Sequence, residues 1–367
     1  MVEWKKIGTI CKPIAPPKKL GRDSYQEDGL YPIIDQGQNE IVGYTNDESS
    51  LLPNGEYVLF GDHTRFVKYH WGHFAQGADG LKILQTKEGV NARYFYFAFQ
   101  NTEVPSRGYS RHWSIAKDLL IPIPPLSTQS HIVSILDTFT SSIANLKQQI
   151  EERRKQYEYE RDRLLDLEGK EGVEMKKLGE LFTFKNGLNK GKEFFGSGKP
   201  IIMFTNVFNS RYIKASTVKS WVNISEKELE RINANIGDVF FTRTSETKED
   251  VGYASVLVED IKDCTFAGFL IRARPITNKL GVHYCKYCFS TPQVREAIVS
   301  NSSFTTRASL TGAGLAKVAI PVPSLSAQSH IVSILDTFEA SIRNLEGQLA
   351  LREKQYEYYR NQLLTFD

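Results

Sequence analysis

Cys285 and Cys288 stand in YCKYC with two residues between them, the spacing at which two thiolates take one edge of a tetrahedral zinc site. Such a site needs four ligands, normally from two pairs, and only His283 and Cys264 are at hand, at the wrong spacing. The alternative is that both thiols are small apolar residues on one helix face. YCKYCF lines up with YFYFAF at Tyr94–Phe99, where Phe95 and Ala98 take the cysteine positions. With Cys11, the four cysteines are too few for a disulfide framework. His63, His70 and His73 lie close together in GDHTRFVKYHWGHF, but spacings of seven and three suit an exposed strand pair better than a compact metal site. No G-x-x-x-x-G-K-[ST] phosphate loop, G-x-S-x-G elbow, H-E-x-x-H or kinase motif set occurs. The absence of these motifs points away from an enzyme, and no metal site is expected.

Length and composition bound what positions any site. At 367 residues the chain can hold two domains, each with its own core. A hydrophobic share of 41% with 24% charged residues is that of a soluble globular protein. No apolar run approaches the roughly 20 residues of a membrane helix. The opening MVEWKKIGTICKP lacks the apolar core of a signal peptide, so a cytoplasmic location is expected.

The stretch QSHIVSILDTF occurs twice, at Gln129–Phe139 and at Gln328–Phe338. The duplication is longer: Ile121–Leu165 aligns without gaps to Ile320–Leu364, with 30 of 45 positions identical. A weaker echo opens each half, EWKKIG at Glu3–Gly8 and EMKKLG at Glu174–Gly179. The order is therefore variable region (1–126), repeat (127–168), variable region (174–325), repeat (326–367).

Each repeat opens on IPIP or IPVP, where proline blocks helix and sets a boundary. Ser127 and Ser326 follow as candidate N-caps. Apolar residues then step by four and three: Ile132, Leu136, Phe139, Ile143, Leu146, Ile150, with the second copy at Ile331, Leu335, Phe338, Ile342, Leu345, Leu349. That is a heptad seam, predicting two helices of about 60 Å. A narrow apolar seam must pair, and the long domain between the copies allows an antiparallel pairing. The fold class expected is α+β: two globular α/β domains separated by two long antiparallel coiled-coil helices, with a pseudo-twofold internal repeat. Arg153 and Arg352 interrupt the seams at equivalent places, either to fix register or to reach solvent. Packing alone tolerates many apolar combinations. Near-identity that includes polar Gln129, Ser130, His131, Ser134, Asp137 and Thr138 is better explained by two equivalent surfaces meeting two copies of one partner than by recent duplication.

Charge separates the regions. The first variable region has 14 basic and 14 acidic residues; the second has 21 and 14. Each helical span carries two more acidic than basic residues, so nucleic acid should meet the variable regions.

These features together resemble the specificity subunit of type I restriction–modification systems. Each region opens W/M-K-K-[IL]-G and closes IP[IV]P-x-LS-x-Q-x-x-IV, and the resemblance extends over essentially the whole chain. YPIIDQGQNEIVGY, GEYVLFGD against GDVFFTRT, and the loops RGYSRHWS and SSFTTRASL fit more loosely. The resemblance implies that each variable region is a target recognition domain for one half of a bipartite site on double-stranded DNA. It implies helices that act as a spacer, and two adenine methyltransferase subunits docked on the repeats. Two restriction subunits would join through these. S-adenosylmethionine would belong to the methyltransferase, and ATP and Mg to the restriction subunit. A spacer of about 60 Å spans at most ~18 base pairs, and twofold readers usually place half-sites about one helical turn apart. Unlike domains imply unlike half-sites. The competing reading is a coiled-coil adaptor that bridges two protein ligands without reading DNA; a self-contained nuclease or methyltransferase is a third.

Base readers should be Arg, Lys, Asn, Gln, Ser or Thr on loops that reach a groove. In the second domain these are Asn186, Lys190 and Lys192 in NGLNKGK, and Thr205, Asn206, Asn209, Arg211 and Tyr212 in TNVFNSRY. Thr242, Arg243, Thr244 and Ser245 in TRTSE join them, with Thr305, Thr306 and Arg307. In the first domain they are Gln36, Gln38 and Asn39, then His63, Arg65, Lys68 and Tyr69, then Arg107, Tyr109, Arg111 and His112. For partner docking the candidates are Gln129, His131 and Asp137 with Gln328, His330 and Asp336.

Overall fold

The computed structural model describes residues 2–108 and 110–366. The chain divides into two compact units, residues 1–150 with 345–367, and residues 151–344.

In the first unit the opening motif pairs with the closing one. Glu3–Lys6 runs antiparallel to Leu120–Ile123, with Trp4 opposite Pro122. The single helical turn Ile7–Ile10 leads into a four-stranded sheet ordered Cys11–Ile14, Leu81–Thr86, Glu56–Gly61, Val67–Trp71. A smaller sheet holds Gly43–Thr45, Tyr31–Ile34 and Ala75–Gln76. The aromatic helix Ala92–Gln100 is capped by Asn91, which accepts from the Tyr94 N–H. It buries Tyr94, Phe95, Phe97 and Phe99.

The second unit repeats this plan. Glu174–Lys177 pairs with Ala319–Val322, and Met175 faces Pro321. Its main sheet, ordered Phe182–Asn186, Leu270–Pro275, Val239–Thr242, Ala254–Leu257, matches the first and adds Tyr212–Ile213 as a fifth strand. The helix Val282–Cys288 stands where the aromatic helix stands in the first unit. Tyr94 donates its hydroxyl to the Pro122 carbonyl at 2.8 Å, and Tyr284 donates to the Pro321 carbonyl at 2.9 Å. Cys285 and Cys288 are buried among apolar neighbours, and burial pushes the Cys288 thiol up to about 12. Among the described residues no three His, Cys, Asp or Glu side chains gather as a metal shell.

The repeats form helices of 40 residues each, Leu126–Leu165 and Leu325–Leu364. Both begin two residues earlier than caps at those serines would give, so Ser127 and Ser326 lie inside the first turn. The capping position holds Ser324, whose hydroxyl accepts from the Ala327 N–H at 3.3 Å; the first helix has Pro125 there. Within each unit the two helices contact one another antiparallel. Phe139 stacks on Tyr359 at 5.3 Å and Lys147 pairs with Glu353 at 3.3 Å. In the other unit Tyr157 packs on Phe338 at 6.5 Å and donates its hydroxyl to Glu339 at 3.4 Å.

Each domain core takes the start of one long helix and the end of the other. Ile132, Leu136 and Leu364 enter the core around the aromatic helix; Ile331, Leu335, Tyr157 and Leu165 enter its counterpart. Truncating a fully buried leucine such as Leu136 costs about 2–5 kcal/mol, so these turns are firmly seated. The seam arginines lie on rings: Arg352 sits 5.6 Å from the Phe139 ring centre and Arg153 5.7 Å from that of Phe338. These equivalent contacts are made across the helix pair, so the arginines help to hold register.

Candidate nucleic-acid interface

Sequence-distant loops of the second domain are stitched into one edge. Leu188 of NGLNKGK donates its N–H to Phe266 at 2.8 Å. Arg243 donates its N–H to Phe269 at 2.9 Å, and its carbonyl accepts from Leu310 at 2.8 Å. Thr244 pairs with Ser309 and Ser245 with Ala308, which brings TRTSE against the hairpin that carries Thr305, Thr306 and Arg307. Arg307 meets Glu246 at 2.9 Å. Lys190 is tied to Glu228 at 2.9 Å and covers the Phe194 ring at 4.4 Å. Asn186, Lys192, Thr305, Thr306 and Arg307 are exposed. The Arg243 guanidinium has no hydrogen-bond or ion-pair partner among the described residues.

TNVFNSRY does not join that edge as a whole. Asn206 accepts from the Met203 N–H and donates to the Thr217 carbonyl, both at 2.8 Å, so its amide is used as a cap. Arg211 donates to the Tyr157 hydroxyl at 2.7 Å and approaches Glu339 at 3.8 Å, facing the long helices rather than a ligand. The Tyr212 ring lies under the ammonium groups of Lys214 and Lys286. Thr205, Phe208 and Asn209 of that loop are exposed. Thr242 is also corrected: it is fully buried, and its hydroxyl accepts from the Tyr253 N–H at 2.9 Å.

The first domain is stitched by side chains. Gln36 donates to the Asp79 carbonyl at 3.0 Å and accepts from the His63 N–H at 3.1 Å, so its amide braces two loops. Buried Lys68 donates to the carbonyls of Asp35 and Asn39, and desolvation holds its pKa below the usual lysine value. Buried His112 accepts the Arg107 N–H on Nε2 at 3.2 Å, so the proton sits on Nδ1, which donates to the Asp62 carbonyl at 3.0 Å. Arg65, at φ +64°, donates to the Val104 carbonyl at 3.0 Å. Tyr69 donates to Glu56, with the Arg93 guanidinium 4.5 Å from its ring centre. Gln36, Lys68, Tyr69 and His112 are therefore scaffold, because their polar atoms already hold the loops. Gln38, Asn39, Arg107 and Arg111 stand exposed at the rim; His63 is half-buried, and Tyr109 lies outside the described residues. A cleft of about 450 Å³ beside Gln38 and Asn39 adds Arg22 and Tyr25, which no sequence signal marked.

The repeat residues sort by face. Gln129 is fully buried; it accepts from the Asn91 N–H at 2.9 Å and donates to the carbonyls of Gly89 at 3.1 Å and Pro124 at 2.8 Å. Gln328 does the same with Gly281 at 2.8 Å, Lys279 at 2.7 Å and Pro323 at 2.8 Å. Neither can dock a partner. Asp137 holds Arg93 at 2.8 Å, while Asp336 accepts from Lys286 at 3.0 Å and Tyr287 at 2.6 Å, so both carboxylates join helix to domain. Ser127, Ser130, His131, Ser134 and Thr138 are exposed on one helix face, and Ser326, Ser329, His330, Ser333 and Thr337 repeat it.

The sequence model described as the type I restriction modification DNA specificity domain matches residues 1–153 and 170–351. A type I restriction enzyme specificity subunit of Escherichia coli is 28% identical, spanning 100% of this chain and 94% of that protein. A putative type I restriction enzyme specificity subunit of Haemophilus influenzae is 25% identical, over 100% and 96%. Among solved structures, a type I restriction–modification S subunit from M. genitalium superposes with a TM-score of 0.65 at 15% identity, over 100% of this chain and 97% of that one. A Thermoanaerobacter tengcongensis HsdS subunit gives 0.50 at 16% identity, over 99% and 96%. These two likenesses speak to the fold.

Proposed function

The chain belongs to the type I restriction–modification DNA specificity family, and on that premise we propose that it reads a two-part DNA site and holds the methyltransferase on it. Each domain reads one half through its own loop edge. Because the two edges differ in sequence and charge, the half-sites differ. The paired helices set the gap between them. The chain supplies no catalytic group; adenine methylation with S-adenosylmethionine, and cleavage with ATP and Mg, belong to partner subunits in the cytoplasm.

One observation carries this reading. The repeat keeps two faces identical, and only one has an internal reason to stay so. Gln129 and Gln328 are held by buried backbone groups, whereas Ser130, His131, Ser134 and Thr138 and their counterparts face solvent. An exposed helix face tolerates almost any polar residue. Its identity in two places supports two copies of one partner docking in equivalent ways, while the loop edges are free to differ.

The test is co-expression with its cognate type I methyltransferase subunit, followed by single-molecule sequencing for modified adenine. A motif in two unlike halves with a fixed gap, lost when this chain is omitted, is the expected result. A complex that forms and modifies no adenine would count against DNA reading. No complex at all would move the repeats to another partner.

A further inference from the structure

The second domain's loop edge carries a residue that its chemistry as a polar reader does not need. Phe269 is 64% exposed, at the turn between strands Thr265–Phe266 and Leu270–Pro275. A lone exposed apolar residue is ordinary, but this one is held rigidly against the backbone of an arginine. Its carbonyl accepts from the Arg243 N–H at 2.9 Å, Leu270 donates back to Ala267 at 3.0 Å, and Ala267 donates to Ile202 at 2.9 Å. The chain passes so close that a Cβ on Gly187 would lie 2.1 Å from the Ala267 carbonyl oxygen, and one on Gly268 would lie 2.8 Å from that of Leu188. Glycine at both positions lets two backbones lock the turn. Beside it stands Arg243, with its guanidinium unpaired among the described residues. The hairpin next along the edge adds Phe304, 51% exposed, and Arg307.

At the equivalent turn the first domain has no ring. There the Asp62 N–H donates to the Gly80 carbonyl at 2.6 Å, as Arg243 does to Phe269, so Gly80 occupies the equivalent position. Its neighbour is Asp79, paired with Lys19 at 2.6 Å. A surface that met two copies of one protein partner would recur in both domains. This one does not, so it belongs with the ligand that differs between them, the DNA half-site.

We propose that Phe269 is an aromatic wedge that enters the base stack of the half-site read by the second domain, unstacking one step while cations of the same edge, exposed Lys192 among them, hold the flanking phosphates. The proposal rests on the DNA-reading function above. Rings inserted from a cationic edge kink duplexes at deformable steps. The half-site read by the second domain is therefore selected partly by its flexibility, and the first domain's half-site is not.

The experiment uses the complex of this chain with its methyltransferase, bound to duplex carrying the mapped motif. 2-Aminopurine replaces each base of both half-sites in turn. The target adenine is extruded by the methyltransferase, so it brightens in both halves whatever stands at position 269. The wedge adds a second bright step, only in the half-site read by the second domain. Phe269→Ala removes that signal and weakens binding about ten- to a hundredfold, whereas Phe269→Trp keeps it. Retained methyltransferase capture and an unchanged melting curve exclude misfolding. Motif-specific binding without a second bright step, or with one indifferent to Phe269→Ala, overturns the wedge and leaves the reading function standing. Loss of methyltransferase capture in a folded Phe269→Ala chain would make Phe269 a protein contact and also overturn it. Absence of any motif-specific binding would remove both.

Discussion

Gln129 and His131 are two residues apart, are repeated identically at Gln328 and His330, and should fail in opposite ways. Gln129→Leu keeps side-chain volume but strands the Asn91 N–H and the carbonyls of Gly89 and Pro124, all three held now by one amide. Leaving a buried polar group unsatisfied costs about 1–3 kcal/mol. Taking the lower figure for each, because the rim is partly wet, the unit loses roughly 3 kcal/mol. For a unit of this size that is a fall in melting temperature of about 6–12 °C. Three of the four tryptophans, Trp4, Trp71 and Trp113, lie in the first unit, so intrinsic fluorescence follows its unfolding. His131→Ala removes an exposed ring and should leave the melt within about 1–2 °C, yet reduce co-purification of the methyltransferase. The reasoning is refuted if Gln129→Leu melts like the parent chain, or if His131→Ala lowers the melt as far.

Three further outcomes follow from the same geometry. Hydrogen bonds from Lys190 and Ser225 hold the Glu228 carboxyl down to about 2 from its ordinary 4.5, so the stability it lends the cap and the NGLNKGK loop is complete above about 4.5 and is lost as pH falls through about 2. Amide exchange at 226–229 should quicken over that window, and Glu228→Gln should abolish the pH dependence. Arg352→Ala and Arg153→Ala should each lower stability by about 1 kcal/mol through loss of the contact to Phe139 or Phe338; unchanged urea midpoints in both would sink the register role. Arg243→Ala should relax discrimination at one base pair by about 5- to 150-fold, whereas Lys192→Ala should weaken binding to all sequences and lower the salt slope by about one. Titrations at two salt concentrations separate these.

The long helices were legible in the residues because their cause is local. Proline at Pro124 and Pro323 fixes each start, and apolar steps of four and three need nothing beyond the chain itself to predict a seam. The pairing of WKKIG with IPIP was not legible, although both motifs were; strand partners more than a hundred residues apart leave no local trace. The caps lie two residues before the serines expected to hold them, since helix ends depend on a few dihedrals that composition does not set.

For the candidate interface, sequence determined which loops carry donors, and the structure decided which donors remain available. Lys68, His112, Gln36, Arg211 and Thr242 have the right chemistry for reading bases, but carbonyls, N–H groups and a hydroxyl from distant segments already occupy them. Gln129 and His131 show the same division within one helix. Their identity across the repeats is written in the chain, but whether a side chain faces a buried backbone or water depends on segments some forty residues away. Phe269 is the converse case: nothing local distinguishes it from a core phenylalanine, and only the turn locked by Gly187 and Gly268 turns it outward. Helical period and proline act over a few bonds, so the sequence carries them alone. A polar atom's partner and a ring's exposure are set by tertiary contacts, so only the folded chain decides them.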